Sequence, residues 1–155
     1  MSILSERAVA IIEESRRTAP SAQSVLLTAL RLTQEERRHV GVEEVEYLAS
    51  LLGLSNATVE GVARFYDELT QEPTGRHIVS LCRGIACHLR GGAAAMEELR
   101  QTLGVGPGET TADGRVTFRL VECIGDCDHA PAVMFDDHFL EAASAADVRA
   151  ELDRG

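Results

Sequence analysis

The stretch HIVSLCRGIACHLRGG, residues 77–92, passes from strand to loop to helix. HIVSLC is a short apolar run of the kind that makes a buried strand, and Cys82 ends it. Cys87 follows with four residues between, where CHLRGGAAAMEELRQTLG (87–104) takes up a helical pattern in spite of Gly91 and Gly92. Further on, RVTFRLVEC (115–123) alternates Val116, Phe118 and Leu120 with polar residues, as a strand does, and it too ends on a cysteine, Cys123. Cys127 comes next with three residues between. If the two strands are parallel neighbours, both cysteine loops leave the sheet at one end and four sulfurs converge.

Working outward, AVMFDDHFLEA (132–142) reads as a hairpin turning near Asp136 and Asp137. SAADVRAELDRG (144–155) opens as a helix, with Ser144 and Asp147 spaced as in a capping box. The order β-α-β-β-β-α predicts a small sheet with helices packed on it. Upstream, residues 1 to about 72 read as four amphipathic helices. Leu4, Ala8, Ile11 and Ile12 share a face, as do Val25, Leu26, Leu27 and Leu30 after a start at Ser21. The third helix turns Val45, Leu48, Leu51 and Leu52 inward and ends at Gly53. The fourth starts at a Ser55/Asn56 cap and turns Val59, Val62, Phe65 and Leu69 inward. QEPTGR (71–76) breaks the pattern. The expectation is an α+β chain, with a helical bundle over 1–74 and an α/β domain over 75–155.

Composition limits the function. The formal net charge is −10, with no lysine, which argues against a nucleic-acid partner, since phosphate binding needs clustered cations. The N-terminus lacks the apolar core of a signal peptide, and no apolar run approaches a membrane span. A cytoplasmic protein without direct membrane insertion is expected, and in that compartment thiols stay reduced.

Four cysteines then leave several chemistries. Disulfides are disfavoured by the compartment. A thioredoxin-type redox pair needs C-x-x-C, which is absent. Structural zinc takes four thiolates, often in tight C-x2-C knuckles, whereas these spacings are wider. An iron–sulfur cluster also takes four cysteines, and wider loops suit its size. His88 and His129 invite a Rieske reading, but four cysteines already complete a ligand set. Donor softness alone does not separate zinc from iron–sulfur.

The pattern C-x4-C, then 35 residues, then C-x3-C followed shortly by Ala130-Pro131 resembles the thioredoxin-like [2Fe-2S] ferredoxin family. GVARFYDELTQEPTGRHIVSLCRGIAC and GVGPGETTADGRVTFRLVECIGDCDHAPAVMFDD resemble stretches of that family, and the resemblance covers roughly residues 22–153. The family includes the E subunit of NADH:quinone oxidoreductase and small subunits of NAD-linked formate dehydrogenases and hydrogenases. The resemblance implies a thioredoxin-like domain behind the bundle. It implies one [2Fe-2S] cluster held by Cys82, Cys87, Cys123 and Cys127, two to each iron. It also implies a partner flavoprotein that binds NAD(H) and FMN, further iron–sulfur subunits, and a bundle that docks on them. The complex would be cytoplasmic or peripheral to the inner face of the cell membrane. The chain is then a one-electron carrier and not catalytic alone, nearest to the NADH:quinone oxidoreductase type. A formate dehydrogenase or hydrogenase gamma subunit is the alternative, and a zinc-stabilised interaction module is the alternative of a different class.

Other residues follow from this frame. A helix beginning near Cys87 would turn its N-terminal N–H groups toward the negative cluster. Gly84 and Gly125 would let backbone N–H groups approach sulfur. Arg83 either adds a compensating charge or is a solvated surface arginine. Asp126 and Asp128 either disfavour the extra electron or point into solvent, where they are screened. GVGPG (104–108) follows a helix instead of opening one, and Pro107 lacks an N–H, so it reads as a loop with no nucleotide signature. Glu43, Glu44 and Glu46 read as a solvated helix face, and His39 and His77 as structural. Ser80 and Ser144 have no triad partners.

Overall fold

The computed structural model describes residues 3–140 and 144–154. The chain divides into two compact units, 1–73 and 74–155.

The first unit consists of α1 (Glu6–Thr18), α2 (Gln23–Arg37), α3 (Val42–Leu52) and α4 (Asn56–Phe65). The starts follow local chemistry. Ser5 accepts from the Ala8 N–H at 3.1 Å, and Ser55 accepts from the Thr58 N–H at 3.1 Å. Gly53 ends α3 at φ 68°, a conformation a Cβ would resist. Ser21 stands ahead of α2, which begins at Gln23. One core gathers Leu4, Ile12, Leu26, Leu30, Leu48, Leu52 and Val59.

Two face assignments fail here. Ile11 is 39% exposed and Phe65 is 77% exposed. Phe65 is the last residue of α4, so the turn that would have folded it inward is missing. Leu69 is buried from the loop that follows, not from the helix. Glu44, read as solvated, is buried. Its carboxylate accepts from the Gly41 N–H at 3.0 Å and from Arg37 Nε at 3.1 Å, beside His39. Burial pushes its pKa up, but its own backbone N–H, Arg37, His39 and the Gly41 N–H outweigh that and hold it below the ordinary value.

The second unit is built on a four-stranded sheet in the order β2-β1-β3-β4. The strands are β1 (His77–Cys82), β2 (Val116–Val121), β3 (Val133–Phe135) and β4 (His138–Leu140). β1 runs parallel to β2 and antiparallel to β3, and β3 pairs antiparallel with β4. The crossover from β1 to β2 holds α5 (Ile85–Leu89) and α6 (Gly92–Leu103), and α7 (Ala145–Arg154) follows the hairpin. Ser144 and Asp147 form the expected reciprocal cap. Val79, Leu81, Leu99, Phe118, Val133 and Val148 form the core between sheet and helices. The loop after α6 folds back on the open edge of β2: the Phe118 N–H donates to the Glu109 carbonyl at 3.0 Å, and the Thr111 N–H to the Val116 carbonyl at 2.8 Å.

Two sequence readings shift. Residues 87–104 are not one helix: α5 starts at Ile85, and the chain breaks at Gly91, φ 98°, before α6 begins. The hairpin turns on Asp136 and Asp137 as expected, while Glu141 and Ala142, assigned to its second strand, lie outside the described residues. His77 is structural: its Nδ1 meets Asp136 Oδ2 at 2.8 Å, and the other Asp136 oxygen accepts from the Ile78 N–H at 2.8 Å.

Candidate metal centre

The parallel pairing of β1 and β2 decides where the cysteines go. Cys82 pairs with Val121 at the last register position of the two strands. The loop leaving β1 and the loop leaving β2 therefore start side by side at the C-terminal end of the sheet. Cys82 is the final residue of β1, Cys87 lies inside α5, Cys123 lies in the loop two residues past β2, and Cys127 opens a short 3-10 turn, Cys127–His129. Cys82 and Cys87 are buried, while Cys123 and Cys127 are exposed.

The four thiols act on one another. Cys87 and Cys123 both act on the Cys82 thiol, and Cys123 and Cys82 both act on Cys127. Burial pushes the Cys82 thiol up, but the Ile124 and Gly84 N–H groups and the neighbouring thiols bring it below the ordinary thiol value. Burial lifts Cys87, and the proximity of Cys82 and Cys127 adds to that, against the N–H of Ala132. Cys127 is raised first by the charge of Cys123. Charge on the neighbouring thiols raises Cys127 and adds to the rise at Cys87, and a bound cation relieves that repulsion.

Backbone donors surround the sulfurs. Gly84 N–H donates to Cys82 Sγ at 3.4 Å, and Ala132 N–H to Cys87 Sγ at 3.4 Å. Gly84 is needed for space: a Cβ there would lie 3.3 Å from the Cys123 Cβ and 3.3 Å from Cys82 Sγ. Gly125 has the other role. Its φ is 87°, with nothing near a built Cβ, so it is a turn requirement and not a close approach. Gly92 lets α6 pass the Cys87 carbonyl, 2.9 Å from where a Cβ would sit. Sequence reasoning missed this position. The paired glycines 91–92 inside a helical pattern were the signal.

The charged neighbours are now placed. Arg83 pairs with Glu122 in an exposed ion pair. Asp126 does not point into solvent: its side chain is 16% exposed, and its Oδ1 meets His129 Nδ1 at 2.8 Å. Asp128 is exposed, as is His88. The helix-terminus expectation changes as well, since Cys87 sits within a five-residue α5 and not at the start of a long helix.

Among the described residues, no three His, Cys, Asp or Glu groups are drawn into a cage for a single metal ion. Four neighbouring thiols, two of them shielded and met by N–H donors, are nonetheless the donor set that a [2Fe-2S] cluster takes.

The fold agrees with the comparison to known families. The model of the thioredoxin-like [2Fe-2S] ferredoxin family matches residues 10–154, and the chain belongs to that family. Its cofactor is a [2Fe-2S] cluster, and its chemistry is electron transfer. The NADH-quinone oxidoreductase E subunit of Pseudomonas aeruginosa is 37% identical over 135 residues, which are 87% of this chain and 81% of that protein. The corresponding E subunit of Mycobacterium tuberculosis strain H37Rv is 37% identical over 134 residues, 86% of this chain but 53% of that protein. Among solved structures, an H2-reduced NAD+-reducing [NiFe]-hydrogenase matches with TM-score 0.65 at 25% identity, over 89% of this chain and 22% of that one.

Proposed function

We propose that Cys82, Cys87, Cys123 and Cys127 hold the [2Fe-2S] cluster, and that the chain is the electron-transfer subunit of an NADH dehydrogenase module. The observation that carries the ligand set is the β1/β2 register, which brings both cysteine loops to one end of the sheet, where their thiols act on one another. The cluster supplies one-electron chemistry. The chain's own residues bind it, shield it with Cys82 and Cys87 buried, and aim the N–H groups of Gly84 and Ala132 at sulfur. The E-subunit relatives favour a multi-subunit complex of the NADH-quinone oxidoreductase type. The partner is then a flavoprotein that takes hydride from NADH onto FMN and exchanges single electrons with this chain. The unit over 1–73 serves as a docking element, and the complex sits at the inner face of the membrane. Among the described residues no helix is long and apolar enough to cross a membrane. A second reading, the electron-transfer module of an NAD-linked hydrogenase or formate dehydrogenase, draws on the likeness to the hydrogenase structure.

Anaerobic purification followed by visible absorption before and after dithionite tests the site. A brown protein with about two irons per chain, bleached on reduction and lost in each Cys→Ser variant, is the expected result. A colourless protein with one tightly held zinc would sink the electron-transfer reading. The large subunits that co-isolate with a tagged chain separate the two complexes.

A further inference from the structure

The loop between Cys123 and Cys127 carries an acid that the fold takes out of water. Asp126 stands three residues past Cys123 and directly before Cys127. Gly125, at φ 87°, turns the chain just ahead of it. The Asp126 side chain is 16% exposed, and its Oδ1 meets His129 Nδ1 at 2.8 Å. Its Oδ2 is buried and has no hydrogen-bond partner. Among the described residues, only one other buried side-chain polar atom lacks a partner, Nε2 of His77, at the far end of β1. Burying a carboxylate oxygen without a donor costs stability, so a carboxylate kept there calls for a reason. The contact with His129 is not that reason. An asparagine amide has the same shape and reaches the same ring nitrogen, as donor or as acceptor, without the charge.

The other acids near the cysteines stand in water. Glu122 lies in an exposed ion pair with Arg83. Asp128, on the other side of Cys127, is exposed. Water and salt screen both charges. Arg90, which reaches the same loop, donates to the Asp128 carbonyl at 3.2 Å and not to a carboxylate. Asp126 is thus the acid of this loop whose charge is least screened. A [2Fe-2S] cluster on four thiolates is anionic, and taking one electron makes it more so. A fixed negative charge beside it raises the energy of the reduced form more than that of the oxidised form. The effect grows as water is excluded from around the charge.

We propose that the Asp126 carboxylate holds the reduction potential of the cluster down, and that Asp128 and Glu122 leave it nearly unchanged. This rests on the four-cysteine ligand set proposed above. A lower potential makes the reduced cluster the stronger electron donor, so the residue sets how readily this chain passes its electron on.

The test uses the whole chain, purified without oxygen with its cluster in place, and poised with dithionite and redox mediators while visible absorption is followed. In Asp126→Asn the ratio of reduced to oxidised cluster, taken at the midpoint potential of the unaltered chain, should rise about tenfold, an upward shift of about 59 mV for a one-electron couple. Iron content and the electron paramagnetic resonance signal of the reduced cluster should stay as they are, since the ligands are untouched. Asp128→Asn should change the ratio by less than about twofold. Raising the salt should leave the Asp126→Asn shift in place, because salt screens a solvated charge far more than a buried one. If Asp126→Asn takes up no iron, Asp126→Ser, also uncharged, carries the measurement. An unmoved potential in the loaded variant would overturn the proposal. An equal shift in Asp128→Asn would overturn it too, by making the charge of the whole loop the cause. Loss of iron from both Asp126 variants would make the residue a structural part of the loop, and would overturn it as well. An unaltered chain with no [2Fe-2S] spectrum would overturn the ligand set, and the proposal with it.

Discussion

Two glycines sit in the two cysteine loops, and both were legible in the sequence as special positions. Their reasons were not, because φ and close approach are tertiary facts. Gly84 has an ordinary φ of −59° but little room, with a Cβ 3.3 Å from Cys82 Sγ and from the Cys123 Cβ. Gly84→Ala should therefore retain its helix content and lose cluster, read as a lower iron-to-protein ratio with unchanged far-UV circular dichroism. Gly125 has room but φ 87°, so Gly125→Ala should cost about 1 kcal/mol in chemical denaturation while keeping its iron. Glu44 gives the reverse lesson. Its position among Glu43 and Glu46 reads as solvated, and only the fold reveals that it caps Gly41 and holds Arg37. Its carboxyl is depressed below the ordinary value of 4.5. The stability it contributes is then fully present above that value and is lost as pH falls through the lower folded one. Glu44→Gln should be about 1–3 kcal/mol less stable at pH 7, and urea midpoints of the two proteins should approach each other as the pH drops below 4.5.

Most elements were legible because each carries its own local signal. The Ser55 and Ser144 caps, the Gly53 stop and the Asp136–Asp137 turn all act within one turn of chain. The α5/α6 break was not legible, since glycine inside a helical pattern marks either a tolerated defect or a boundary. What makes it a boundary is the Cys87 carbonyl, which α6 must pass at Gly92. A methyl there would meet the backbone at 2.9 Å, and backbone cannot rotate away as a side chain would. Gly92→Ala should thus push α6 off α5 and drag Cys87 with it. The expected result is a loss of about 1–3 kcal/mol together with reduced cluster content. Gly91→Ala, where the built Cβ meets nothing but φ is 98°, should show the smaller stability loss alone. Equal iron content in the two variants would mean that α6 does not control the position of Cys87.

At the scale of the molecule, the two units have separate cores with no residue in common. All four cysteines lie in the second unit. A ligand that binds only the folded state stabilises what it is linked to, and metal binding is coupled to folding in the same way. Removing iron should therefore loosen the second unit selectively. The amides at risk are those the thiol end of the sheet holds in place: Gly84 and Ala132, which donate to sulfur, and Cys82 and Arg83, which donate to the Ala132 and Val121 carbonyls. Hydrogen exchange on the protein before and after chelation should show protection lost at these positions and along α5, with α1 to α4 unchanged, because local opening follows the contacts that are removed. A loss of protection that spread equally through α2 and α3 would mean that the two cores unfold as one, and that the helical unit depends on the cluster for its own stability.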